Sequence, residues 1–194
     1  MSSIKLTADS GGGTFEIKAP ASSANTRVLT LPDVKDLTLG GILMFDQYRL
    51  TTSFSGASEP ISSNIERVDT FSPALIGSAM SVSSGIFTFP STGMYEVSFH
   101  LVGRMNGDSR FQNASLEVTT DGTNFTEAAR GANSFYNGGA SVLSSCVAKV
   151  FFDVTNTSTH KVRFDVTVNS GSTETLGDTN NNQTYFTFKK FSTT

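Results

Sequence analysis

The sequence predicts an all-β fold, a sandwich with an extended, β-stranded N-terminal arm, on three observations. Its large apolar groups are mostly aromatic, with 16 Phe and 4 Tyr in a chain that is 37% apolar, and aromatic and Val residues suit a pleated, half-buried surface. Strand-like segments recur with Gly, Pro, Asn and Asp between them, the rhythm of a sandwich or barrel. No segment of useful length shows a helical period.

At 194 residues the chain suffices for one well-buried domain plus an appendage. The texture changes near residue 40, which divides an arm over 1–40 from a domain over 41–194. In the arm, residues 3–7 and 14–18 read as short strands, joined by Ala8-Asp9-Ser10-Gly11-Gly12-Gly13, where three glycines allow positive φ. A third piece, 27–31, follows a small, polar run and is stopped by Pro32. Such strands bury too little to be stable alone and need a partner surface.

In the domain, residues 42–54 open the fold and 66–71 form a short second strand. Residues 85–89 follow and are stopped by Pro90. From 93 to 102, Tyr95, Val97, Phe99 and Leu101 alternate with Glu96, Ser98 and His100, which marks a half-buried strand with Tyr95 and Phe99 on its inner face. Residues 113–120 repeat the alternation before Asp121-Gly122, a hairpin signal, and 125–130 return. The run 142–154 is the most continuously apolar and is expected to lie deepest. Residues 160–168 set Val162, Phe164, Val166 and Val168 against Lys161, Arg163, Asp165 and Thr167. After an expected polar loop over 171–182, residues 184–191 close the domain, with Tyr185 and Phe188 as core or interface residues.

Charge and cysteine content exclude several classes. With 14 Lys plus Arg against 17 Asp plus Glu, the net charge of −3 provides no footprint for a phosphate backbone, so nucleic acid is not an expected partner. The single cysteine, Cys146, lies in an apolar run and reads as a small buried hydrophobe. The first residues lack the apolar core of a secretory signal, and no stretch approaches the ~20 apolar residues of a membrane span. Synthesis in the cytoplasm and no membrane insertion are the expectations. Four Asn-x-Ser/Thr sequons, at Asn113, Asn124, Asn156 and Asn182, are what a chain rich in these residues produces by chance.

Catalysis has little to work with. His100 and His160 have no sequence neighbour that makes a triad or a metal pair and read as solvated strand-face residues. Gly11-Gly12-Gly13 lacks the Lys-Ser/Thr of a phosphate loop. Residues 177–182 offer oxygen ligands without the spacing of a calcium loop. Glu59, Glu66, Asp69 and Asp108 fall in turn-rich segments where acids are ordinary. No enzymatic activity, cofactor or metal is expected.

The stretch Gly85-Ile86-Phe87-Thr88-Phe89-Pro90-Ser91-Thr92-Gly93-Met94-Tyr95-Glu96-Val97-Ser98-Phe99-His100 resembles the central signature of C1q/TNF-like jelly rolls, a short strand leading through a Pro/Gly turn into a Gly-x-Tyr strand. Thr184-Tyr185-Phe186-Thr187-Phe188-Lys189-Lys190-Phe191 looks like the family's closing strand, with Thr187 where a glycine is usual and Lys189-Lys190 where apolar residues are common. This resemblance, over residues 65–194, implies a jelly roll that assembles as a homotrimer, the sheet with the first and last strands facing the three-fold axis.

The arm is similar to something else. Lys5-Leu6-Thr7-Ala8-Asp9-Ser10-Gly11-Gly12-Gly13-Thr14-Phe15-Glu16-Ile17-Lys18-Ala19-Pro20, followed by Arg27-Val28-Leu29-Thr30-Leu31-Pro32-Asp33, resembles modules of tail-fibre and other virion proteins of marine bacteriophages. That resemblance implies a virion protein made in the bacterial host cytoplasm, attached to other virion proteins through Phe15, Ile17, Leu29 and Leu31. A short tail fibre or spike adhering to host surface glycans and a capsid decoration protein both remain open. So does a free carbohydrate-binding or cytokine-like module. Trp, a favoured sugar-stacking residue, is absent, and Tyr48, Phe135 and Tyr136 are the candidates for ligand-contacting loops.

Overall fold

The computed structural model describes the backbone of residues 3–7 and 14–18 and all of residues 41–71, 74–136 and 140–194. The chain divides into two compact units, Met1–Leu39 and Gly40–Thr194. In the first, β1 (Ser3–Thr7) pairs antiparallel with β2 (Thr14–Lys18), with Thr7 opposite Thr14 and Ser3 opposite Lys18. The expected strand over 27–31, with Leu29 and Leu31, lies outside the described residues, as do the side chains of Phe15 and Ile17.

The second unit is a sandwich of antiparallel strands. In chain order these are β3 (Met44–Leu50), β4 (Thr52–Ser55), β5 (Ile65–Arg67), β6 (Leu75–Ile76), β7 (Ser81–Ser83), β8 (Ile86–Thr88) and β9 (Gly93–Met105). They continue with β10 (Ser109–Thr119), β11 (Thr126–Phe135), β12 (Val142–Val154), β13 (Lys161–Val168), β14 (Glu174–Asp178) and β15 (Tyr185–Ser192). One sheet has five strands in the order β11-β10-β13-β8-β7. The other has eight: β9 pairs with β12 along one edge and with β15 and β14 along the other, β14 leads on to β4, and β15 leads on to β3, which pairs with β5 and β6.

The inner faces meet in a largely aromatic core. Tyr95, Val97, Phe99 and Leu101 of β9 all point inward, as period two requires. Phe186 of β15 stacks on Phe164 of β13 at 4.4 Å between centroids, and Phe87 of β8 packs on Phe188 at 5.0 Å, so rings from both sheets interlock across the gap. Each fully buried ring contributes on the order of 1.5–3 kcal/mol of hydrophobic stabilisation. Gly93 has φ +146°, and a Cβ there would stand 2.1 Å from Ser192 O, so the turn into β9 requires glycine.

Three expectations are corrected. The segment over 171–182 is not all loop: it contains β14, whose Thr175 is fully buried and accepts a 2.9 Å hydrogen bond from Gln112 Nε2. A strand whose burial is polar carries no apolar alternation to read. The run 142–154 is not the deepest strand. It forms the edge of the eight-stranded sheet beyond β9, and its odd-numbered residues face outward. Finally, His160 is buried, stacked on Phe152 at 5.5 Å with hydroxyls of Thr155 and Thr159 each 3.2 Å from its ring nitrogens, and so is not solvated.

Candidate functional site

The outer face of the eight-stranded sheet carries exposed apolar residues along its borders and a polar centre. Cross-strand register lines its side chains up in rows. One row runs Val147, His100, Tyr185 and Arg49, and another runs Phe151, Glu96, Lys189 and Phe45. Between them lie Lys149, Ser98, Thr187 and Gln47.

The middle of this face is polar and internally satisfied. Gln47 Nε2 donates to Thr187 Oγ1 at 3.1 Å, and Lys189 Nζ donates to Glu96 at 3.0 Å. His100 stacks on Tyr185 at 4.8 Å with nearly parallel planes, and burial holds its imidazole below the ordinary value, so the ring is neutral at pH 7. Arg49 is buried although it points outward, because β5 and the turn after it fold over it. Its guanidinium donates to Glu66 (2.7 Å), Thr70 (2.7 Å) and Asp69 (2.8 Å).

Both borders are apolar. On β12, Leu143 (64% exposed), Val147 (48%) and Phe151 (62%) form a stripe on one side of the strand, and Phe151 meets Phe191 of β15 at 6.1 Å. On the opposite border, Phe45 of β3 pairs with Ile76 of β6, which is also exposed. Exposed apolar residues scattered singly are ordinary, but a stripe along an edge strand is not. The apolar continuity of 142–154, which pointed to the deepest strand, concealed this stripe. Lys149 and Asp153 were the available signal, since both share a face with Val147 and Phe151 and charges do not enter a sealed core.

The residues singled out from sequence are placed as follows. Tyr95, Phe99 and Phe188 are fully buried between the sheets, while Tyr185 is half-buried on the outer face. Two of the three ligand-loop candidates are corrected. Tyr48 lies in β3 with its ring inward, its hydroxyl donates to Met80 O at 2.8 Å, and burial, reinforced by Asp46, pushes its pKa up to about 12. Phe135 ends β11 inside the sandwich. Their aromatic bulk belongs to packing, because each falls on the inward phase of its strand. Tyr136 is exposed. A shallow cavity of about 200 Å³ lies where Arg49, Val68, Phe71 and Asn180 to Asn182 meet. Among the described residues, no group of three or more His, Cys, Asp or Glu is arranged to hold a metal ion.

No family model and no curated protein matches the chain. Solved structures do. Murine APRIL at pH 8.5 is similar with a TM-score of 0.53 at 12% identity, over 76% of this chain and 98% of that one. The Eiger TNF of S. frugiperda is similar with a TM-score of 0.56 at 13% identity, over 79% of this chain and 96% of that one. At such identities the likeness is one of fold: two antiparallel sheets packed as a C1q/TNF-like jelly roll.

Proposed function

We propose that the chain is a self-associating binding or structural module that forms a homotrimer through the outer face of the eight-stranded sheet. The observation that carries this reading is the stripe of Leu143, Val147 and Phe151 on an otherwise complete sandwich. It sits at one border of the face, whereas Phe45 and Ile76 occupy the other. Two different apolar borders suit a head-to-tail contact, in which one border of each copy covers the other border of the next. Such contacts close into a ring when the rotation allows. The resemblance to C1q/TNF-like jelly rolls sets the ring at three.

Sedimentation tests this. The unaltered chain is expected at roughly 62 kDa, three times its 20.7 kDa. The double substitution Val147→Asp with Phe151→Asp is expected to sediment as a folded monomer. A trimer that survives both charges, or an unaltered chain that is monomeric at micromolar concentration, would falsify the assignment of this face.

Within that module the biological setting we favour is a bacteriophage virion protein, with the arm attaching the trimer to the particle. What supports it is the sequence form of the arm, together with its separation as a unit from the domain. Tail fibre and capsid decoration are the two placements, and immunogold labelling of particles distinguishes them. The second reading, a free cytokine-like ligand module, is supported by the fold it shares with APRIL and Eiger TNF. Deleting residues 1–33 separates the two. A virion protein keeps its trimer but no longer incorporates into particles, whereas a free module needs no particle and binds its ligand with or without the arm.

A further inference from the structure

On the outer face of the five-stranded sheet, one carboxyl group lies beside a strap of chain. Asp165 sits in β13 between Phe164 and Val166, whose side chains fill the core, and is itself only 3% exposed. Residues 56–61 run alongside in antiparallel register. Ser58 N–H donates to Val166 O at 2.9 Å, Val166 N–H donates to Ser58 O at 2.8 Å, and Ile61 N–H donates to Phe164 O at 2.8 Å. This register brings Glu59 next to Asp165.

The opposite neighbour, β10, sets Ser115 across from Asp165 and Glu117 across from Arg163. Arg163 is committed to Glu117, at 2.6 Å from Nη2 to Oε2, and stands 3.6 Å from Asp165 Oδ2. Asp165 Oδ1 is buried without a hydrogen-bond partner. Further out, Glu127 of β11 is taken by Arg130 at 2.8 Å, and Lys161 Nζ is turned to Thr88 at 3.0 Å. Glu117 and Asp165 therefore share one guanidinium, and the strap adds the charge of Glu59 beside them.

An ionised Asp165 is poorly provided for here. A buried carboxylate needs hydrogen bonds to both oxygens or an opposing charge, and like charges on neighbouring strands repel. Protonation relieves both conditions, because the carboxyl then becomes a hydrogen-bond partner of Glu117 instead of its rival. We propose that Asp165 is held protonated against Glu117, which spares Glu59 on the strap a second carboxylate beside it, so that the 56–61 strap is a pH-sensitive latch on β13. Burial, then the charge of Glu117, with Glu59 adding and Arg163 opposing, pushes the Asp165 carboxyl up to about 6. Because the folded value lies above the ordinary 3.8, the contribution is fully present below that value and is lost as pH rises through about 6. Release of the strap leaves Phe164 O and both backbone groups of Val166 unpaired, an open stretch of sheet edge able to accept another strand.

Amide hydrogen exchange, corrected for intrinsic rates, reads the latch on the full chain. Protection at Ser58, Ile61 and Val166 is expected to fall on the order of tenfold between about pH 4.5 and about pH 7.5, while core amides of β9 stay unchanged. In Asp165→Asn, which cannot ionise, protection at the three amides is expected to be the same at both pH values. In Glu59→Gln, the midpoint of the fall moves to lower pH. An equal fall in Asp165→Asn, or none in the unaltered chain, overturns the proposal. Should Asp165→Asn fail to fold, the carboxyl carbon resonance of Asp165 in the unaltered chain decides: a midpoint near 6 supports the latch, and one in the ordinary carboxylate range sinks it.

Discussion

The two sheets of this sandwich obey the same inward rule and differ in how their outer faces are finished. The five-stranded sheet turns charge outward, with Arg163 paired to Glu117 and Arg130 to Glu127, and a strap beside β13 where Asp165 is buried. The eight-stranded sheet leaves Leu143, Val147 and Phe151 in water on one border and Ile76 on the other. Alternation alone produces both inner faces. The difference lies in the outer residues, the only ones a partner could reach.

The inner faces should be equivalent, and the largest effects are expected there. Phe164→Ala from one sheet and Phe186→Ala from the other remove rings that stack on each other, so each is expected to cost about 3–5 kcal/mol in denaturant unfolding. The double variant should cost less than the sum of the singles, since the contact is lost once. A strong inequality between the singles would mean that one sheet carries the core alone.

A smaller effect is expected where the sheets draw together at the open edge. Gly131 of β11 passes so close to β12 that a Cβ would stand 2.5 Å from Val147 O. Backbone cannot yield as a side chain does, so Gly131→Ala is expected to cost on the order of 1–3 kcal/mol. It should also weaken self-association, because it moves the strand that bears the stripe. Unchanged sedimentation in a clearly destabilised Gly131→Ala would separate the stripe from the edge geometry.

Much of this architecture was legible in the sequence. Tyr95, Val97, Phe99 and Leu101 announced β9 by alternation, and the Gly93 turn followed from residue type. What escaped had physical reasons. β14 buries the hydroxyl of Thr175, so its period is invisible to an apolar count. Lys190 points inward yet is accommodated, its Nζ donating to Ser91 Oγ at 2.9 Å and lying 5.9 Å from the Tyr95 ring centre, so a lysine occupies an apolar phase. β12 is apolar on both faces near its end, and period two cannot say whether the second face meets this chain or another. Asp165 escaped for the reverse reason. Its outward phase was correct, but the strap that runs beside it comes from residues more than a hundred positions earlier.

Charge pairs on the outer faces should matter little to folding. Arg104 and Glu174 meet at 2.6 Å across β9 and β14, with Arg104 half exposed. Water and salt screen such a pair, so Arg104→Ala is expected to cost less than about 1 kcal/mol. A larger loss would show that the polar parts of this face are organised for stability rather than for contact.

The smallest folding effect is expected at the stripe itself. Leu143 is 64% exposed in the single chain, so burial there returns little to the folded monomer. Leu143→Ser should leave the unfolding free energy of a monomeric background, carrying Val147→Asp and Phe151→Asp, within about 0.5 kcal/mol. In the otherwise unaltered chain the same change should weaken assembly if the proposed trimer covers this side chain with a neighbouring copy. The two measurements use one substitution and differ only in whether a neighbour is present. If Leu143→Ser destabilises the monomer as much as the assembly, the residue supports β12 from within its own chain. The stripe would then belong to the sandwich, and the face would have to find its partner by its polar centre instead.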